Sequence, residues 1–95
     1  MTNNPGYKQE TVIKLQAANR LKAEGRYQEA VQMLQAVMAE DPQCAPAYNN
    51  IGAIYYYCED YQLAVAAYQV ALDLQPNYLD AYYNLALAQT KCHLT

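Results

Sequence analysis

The stretch APAYNNIGAIYYYCEDYQLAVAAYQVALDLQP, residues 45–76, decides the fold. Its apolar residues recur at intervals of three and four rather than two, the spacing of a helix face. Tyr48, Ile51, Gly52 and Tyr55 make one face of a first helix, and Tyr61, Ala64, Val65, Tyr68, Ala71 and Leu72 make that of a second. Asp60 is placed to cap the second helix and Pro76 to stop it. Gly52, Ala64 and Ala71 lie where two antiparallel helices would cross, and small side chains there let the backbones approach to about 8 Å. Tyr48, Tyr55 and Tyr68 would fill the space beside them.

A shift of 34 residues brings the rest of the chain into register with this stretch. Gly25-Arg26-Tyr27-Gln28-Glu29-Ala30-Val31 falls on Glu59-Asp60-Tyr61-Gln62-Leu63-Ala64-Val65, and Asp41-Pro42 falls on Gln75-Pro76. Ala47-Tyr48-Asn49-Asn50-Ile51 falls on Ala81-Tyr82-Tyr83-Asn84-Leu85, and Cys58 on Cys92. Gly25 can end a helix in a left-handed conformation, and Pro42 repeats the stop at Pro76. The pattern predicts five helices, at about residues 8–24, 27–40, 45–58, 61–74 and 78–93.

Tyr48-x2-Ile51-Gly52-x2-Tyr55, followed by Ala64-x3-Tyr68, Ala71 and Pro76, resembles the tetratricopeptide repeat, with Tyr standing for the usual Trp and Phe. The first repeat keeps Ala30, Leu34 and Pro42 of the second helix but carries Lys14, Ala17, Ala18 and Leu21 in the first. The third offers Tyr82, Leu85, Ala86 and Gln89 before the sequence stops. The resemblance implies an all-α fold of antiparallel helix-turn-helix repeats, stacked as a short right-handed α-solenoid of five helices. The expected division is a flexible segment or helix start at 1–10 and a repeat domain at 11–95. That domain divides into 11–44, 45–78 and a half repeat or capping helix at 79–95.

A repeat hairpin buries its faces against its neighbours, so an uncovered last helix is a liability. Tyr82, Leu85 and Ala86 sit where a second helix would dock. The chain is therefore expected to be a piece of a longer protein, or to present those three residues to another copy of itself or to a partner. A single solvating helix acting as a cap is the plainer alternative.

If the tyrosine face of each first helix meets its hairpin partner, then positions two, five, nine, twelve and thirteen of the repeat face away from it. In the stacked array that the resemblance implies, these positions line a concave groove. They are Val12, Leu15, Asn19, Lys22 and Ala23; Pro46, Asn49, Ala53, Tyr56 and Tyr57; and Asp80, Tyr83, Leu87, Thr90 and Lys91. Asn50 and Asn84 lie on its edge. Tyr56, Tyr57 and Tyr83 are not needed within a hairpin, and rigid amphipathic rings serve as interface anchors. The asparagines can hydrogen-bond the backbone of a peptide. The competing reading is that these tyrosines tile the contact between adjacent repeats.

Chaperone-binding members of the family hold a peptide's terminal carboxylate with two Lys, one Arg and two Asn. The matching positions here are Leu15, Asn19, Asn50, Asp80 and Asn84. Both asparagines are present, the three cations are absent, and Asp80 would repel the carboxylate. Chaperone tails held in this way are not expected as partners.

Other chemistry finds little support. The net charge of −3 and pI near 4.8, without a Lys/Arg cluster on one face, argue against nucleic acid. Cys44 to Tyr78 holds Glu59, Asp60 and Asp73 without a basic residue, so that part would favour a cationic ligand. No apolar run reaches the roughly 18 residues of a membrane span, and residues 1–10 do not read as a signal peptide. A cytoplasmic location is the expectation. The 3 cysteines lack a CxxC pair, and Cys58 and Cys92, one helix spacing or about 8–10 Å apart, suit neither a disulfide nor a shared metal. They read as small buried or half-buried thiols. Adjacent Cys92 and His93 point about 100° apart around a helix, there is no Ser, and the 3 glycines form no phosphate loop. The carboxylate pairs Glu40-Asp41 and Glu59-Asp60 fall at helix junctions.

The sequence thus predicts a protein-binding scaffold or adaptor with no catalytic site, cofactor or metal, holding a protein or peptide segment in its groove. The alternative is an N-terminal recognition or oligomerisation domain of a larger enzyme, such as a glycosyltransferase or methyltransferase.

Overall fold

The computed structural model of the protein describes residues 7–94 and contains five helices: α1 Gln9–Ala23, α2 Tyr27–Glu40, α3 Ala45–Tyr57, α4 Tyr61–Leu74 and α5 Leu79–Leu94. Each expected helix is present, and no end differs from its expected position by more than one residue. The segment 1–10, expected to be flexible or to begin the first helix, lies outside the described residues up to residue 6, and Gln9 and Glu10 belong to α1.

Two kinds of turn, each used twice, make the fold. The turn after α1 is made by Gly25, whose φ of +78° lets Arg26 N donate to Leu21 O at 2.9 Å and Gly25 N to Lys22 O at 3.0 Å. This pair of bonds is the Schellman arrangement. Glu59, 34 residues later, adopts the same conformation at φ +66°, and Asp60 N reaches Tyr55 O at 2.8 Å. The other turn carries a proline at its second position, where the fixed ring torsion suits a tight turn. Cys44 N donates to Asp41 O and Tyr78 N to Gln75 O, both at 3.1 Å. The helices are therefore stopped by their backbones. Asp60 occupies the N-cap of α4 but its side chain makes no capping hydrogen bond, and neither Arg26 nor Cys44 supplies one at α2 and α3. Arg26 instead forks onto both oxygens of Glu29 at 2.7 Å and reaches Glu24 at 3.2 Å.

These turns set α1, α3 and α5 side by side in one layer and α2 and α4 in a second, with α2 between α1 and α3 and α4 between α3 and α5. The result measures 45 × 29 × 19 Å. One core cluster joins α1, α2 and α3 around Leu34, Val37, Ile51 and Ile54; a second joins α4 and α5 around Ala64, Tyr68 and Ala88. Tyr68 takes the place in α4 that Leu34 holds in α2. Its ring lies over Gly52, where a Cβ would stand 2.7 Å from Tyr68 Cε1. Only a residue without a side chain fits there.

The small residues expected at the crossing, Gly52, Ala64 and Ala71, are buried. Burial also falls on Ala47, Ile54, Ala81 and Ala88, the sides of α3 and α5 that meet the preceding hairpin. The thiols divide differently from expectation: Cys44 is buried and Cys92 half-buried, but Cys58 is exposed. Cys58 is the C-cap of α3, where the chain turns outward ahead of the left-handed Glu59.

Candidate interaction groove

The residues the sequence marks as a groove lie on α1, α3 and α5, and most of them, though not Tyr83, Ala23, Thr90 or Lys91, border one of two cavities. The larger, about 390 Å³, lies at the N-terminal ends of these helices, and Leu15, Asn19, Asn50 and Asp80 contribute to it. The smaller, about 180 Å³, lies toward their C-terminal ends and is lined by Lys22, Ala53, Tyr56, Tyr57 and Leu87 among others. Asn49 borders both cavities, and Asn84 borders the smaller.

Asn49 is only 7% exposed and is not an idle amide. Asn84 Nδ2 donates to its Oδ1 at 3.2 Å, and its side chain also hydrogen-bonds the Tyr78 phenol. A buried polar side chain must find such partners, because leaving one unpaired costs about 1–3 kcal/mol. Asn49 therefore ties α3 to α5 and to the turn that precedes it. Tyr78 is itself perturbed: burial pushes its phenol pKa up, the Asp80 charge adds to the rise, and the Asn49 hydrogen bond opposes it.

Tyr56 and Tyr57 belong to a run of rings. Tyr57 stacks on Tyr27 with centroids 6.3 Å apart, while Tyr56 meets Tyr57 edge-on at 6.1 Å and Tyr61 at 5.4 Å. Such offset and edge-to-face pairs hold each ring in place. Tyr57 thus touches the preceding repeat and yet remains 59% exposed. Tyr83 is not part of this run; it is 67% exposed and borders neither cavity. Tyr68, which the sequence assigned to the hairpin interior, also reaches the smaller cavity. Burial raises its phenol pKa strongly, with Tyr57 and Tyr56 adding to the shift.

Lys22 stands half-buried at the same cavity, and burial lowers its pKa. Of the other groove positions, Val12 and Pro46 are half-buried, and Ala23, Thr90 and Lys91 are exposed. At the end of the array, Tyr82 is 51% exposed and Ala86 is exposed, whereas Leu85 is half-buried against the Ala64–Tyr68–Ala88 cluster. Among the described residues no three His, Cys, Asp or Glu side chains are arranged to hold a metal ion, and no helix is long and apolar enough to cross a membrane.

Known proteins share the repeat fold. Residues 52–91 match the family model described as TPR repeat, and residues 16–46 match that of the tetratricopeptide repeat. The chain is 39% identical over 75 residues to the probable UDP-N-acetylglucosamine--peptide N-acetylglucosaminyltransferase SEC of Arabidopsis thaliana. That match takes in 79% of this chain but spans only 8% of the relative's length. Two solved structures superpose closely: the second TPR of Spaghetti (RPAP3) bound to HSP90 peptide SRMEEVD, and the first TPR of the same protein bound to the same peptide. The second-TPR structure gives a TM-score of 0.81 at 23% identity over 86% of this chain and 76% of that one. The first-TPR structure gives 0.84 at 21% identity over 90% of this chain and 68% of that one. Repeated turns, small residues at each crossing and matching family models over both hairpins lead to one conclusion: the chain belongs to the tetratricopeptide repeat family.

Proposed function

We propose that this chain is a protein-interaction module that holds a peptide or protein segment along the face of α1, α3 and α5, and that it performs no catalysis itself. The observation that carries the reading is the pair Tyr56 and Tyr57, fixed by their neighbours yet bordering an open cavity. Rings already held in one orientation lose little freedom on binding, which makes them effective anchors. Leu15, Asn19, Asn50 and Asp80 extend the contact along the larger cavity, and Asn84 and Leu87 flank the smaller.

The similar Spaghetti structures hold an HSP90 peptide, and a peptide is the class of partner proposed here. A terminal-carboxylate clamp is not part of the proposal: Leu15, Asp80 and Asn84 stand where the family's clamp residues would be cationic. The likeness to part of a glycosyltransferase is compatible with an adaptor and with a recognition domain of a larger enzyme, and does not separate them.

The test is a double variant, Tyr56→Ala with Tyr83→Ala, assayed against a segment selected from a peptide library on the wild-type protein. Binding should fall at least tenfold while the helical circular dichroism stays unchanged. Equal affinity in the folded double variant would remove the groove assignment.

A further inference from the structure

The smaller cavity contains a charge that the aromatic anchors leave unused. Lys22 lines it from the last turn of α1, half-buried. Among the described residues its ammonium makes no ion pair. The ion pairs of this hairpin are formed by other residues, Glu24 and Glu29 with Arg26 and Glu40 with Lys14. A cation in the last turn suits the helix dipole. Arg20 meets that need in the same turn from an exposed position, so the dipole does not account for a lysine that borders a cavity. Its depressed pKa marks a charge that has lost water without gaining a counterion.

The other walls are neutral and rich in hydrogen-bonding groups: the Asn84 amide and the phenols of Tyr56, Tyr57 and Tyr68. No carboxylate borders it. Glu59 and Asp60 line a separate cavity beside Leu63 and Cys92, and Asp80 borders the larger one. The sign of charge in this cavity is thus opposite to that of the chain as a whole, which carries −3.

On the groove reading above, we infer that the Lys22 cavity receives one side-chain carboxylate, from a Glu or Asp of the bound segment. At about 180 Å³ the space is smaller than the roughly 300–1,000 Å³ of small-molecule pockets and suits a single side chain. One ammonium balances one negative charge, which matches a carboxylate better than a phosphate near −2. The rest of the segment faces acidic surroundings at Asp80, so a lone acidic residue among neutral or basic ones is the expected pattern.

The experiment is selection from a library of random 12-residue peptides, displayed with both ends joined to linker, against the wild-type protein and the Lys22→Gln, Lys22→Glu and Tyr56→Ala variants. Wild-type selections should share an acidic residue at one position, and Lys22→Glu should select Lys or Arg there. In C-terminally amidated synthetic copies, replacing that Glu by Gln should weaken binding about tenfold, and Lys22→Gln should do the same without adding to it. The peptide substitution leaves the protein untouched, so it cannot act through misfolding. Peptides that lose affinity for Tyr56→Ala but bind Lys22→Gln as tightly as wild type would overturn the carboxylate and leave the groove standing. Peptides indifferent to Tyr56→Ala, or no selected peptides, would overturn both.

Discussion

Gly52 and Tyr68 are in such close contact that a Cβ on residue 52 would stand 2.7 Å from Cε1 and 2.8 Å from Cδ1 of the ring. Tyr68 is 2% exposed and packs against Ala64 and Ala88, so moving the ring aside disturbs the core. In an open helix, Gly→Ala would gain about 1 kcal/mol of propensity. Here overpacking opposes that gain, and Gly52→Ala should destabilise the protein by about 1–2 kcal/mol in urea unfolding. In a Tyr68→Leu background the same change should become neutral or stabilising. A Gly52→Ala protein as stable as wild type would mean that the helices have room to part.

Gly25 and Glu59 end equivalent helices with nearly the same positive φ, but only one of them is glycine. No atom lies within 4 Å of a Cβ built on Gly25, so Gly25→Ala is penalised by conformation alone, by about 1 kcal/mol. Glu59→Gly removes the same strain and should stabilise by up to about 1 kcal/mol, after the extra freedom glycine brings to the unfolded chain. Thermal midpoints of the two variants should move in opposite directions. A shift of the same sign in both would overturn the shared turn geometry.

Removing the Asn84 amide leaves the buried Asn49 oxygen without its donor. Asn84→Ala should destabilise by about 1–2 kcal/mol, and the loss should fall chiefly on α5, which the bond ties to α3. Native-state hydrogen exchange checks this. Faster exchange confined to α5 amides is the expected result, and uniform acceleration across all five helices would argue against a local tie.

Alkaline pH should unfold the protein earlier than its exposed groups alone would require. Burial raises the Cys44 thiol above its ordinary 9.0 and the Tyr7, Tyr68 and Tyr78 phenols above 10.0. The folded chain therefore keeps protons that the unfolded chain releases. Their contribution is fully present below pH 9 and is lost as pH rises through the folded values. Stability measured between pH 7 and 11 should be flat to about 9 and then fall; a flat profile to pH 11 would contradict the buried environments. Thiol labelling at neutral pH gives a second view, with Cys58 reacting readily and Cys44 only as the protein opens.

The fold was legible because turns and crossings are local. The 34-residue register, Gly25, Pro42 and Pro76 place the helix ends to within one residue. Depth in the groove was not legible, because it depends on the helix that lies across from each position. Leu15, Asn49 and Tyr83 hold the same repeat position, yet Leu15 is half-buried beside α3, Asn49 is buried beneath α5, and no helix among the described residues covers Tyr83. The partners that bury Asn49, Tyr78 and Asn84, stand far along the chain, and nothing in the local pattern of α3 signals them. Asp60 carried a plausible capping side chain, but the left-handed Glu59 ahead of it had already set the turn through backbone bonds.

Every helix in this array touches only the next one or the next but one. Few long loops must close before contacts form, a topology of low contact order that folds quickly for its size. The same layout lets order spread or retreat one helix at a time, since each unit depends on its immediate neighbours alone. A bound segment that spans α1, α3 and α5 would link α1 to α5, which otherwise communicate only through the helices between them, turning a chain of nearly independent steps into one cooperative transition.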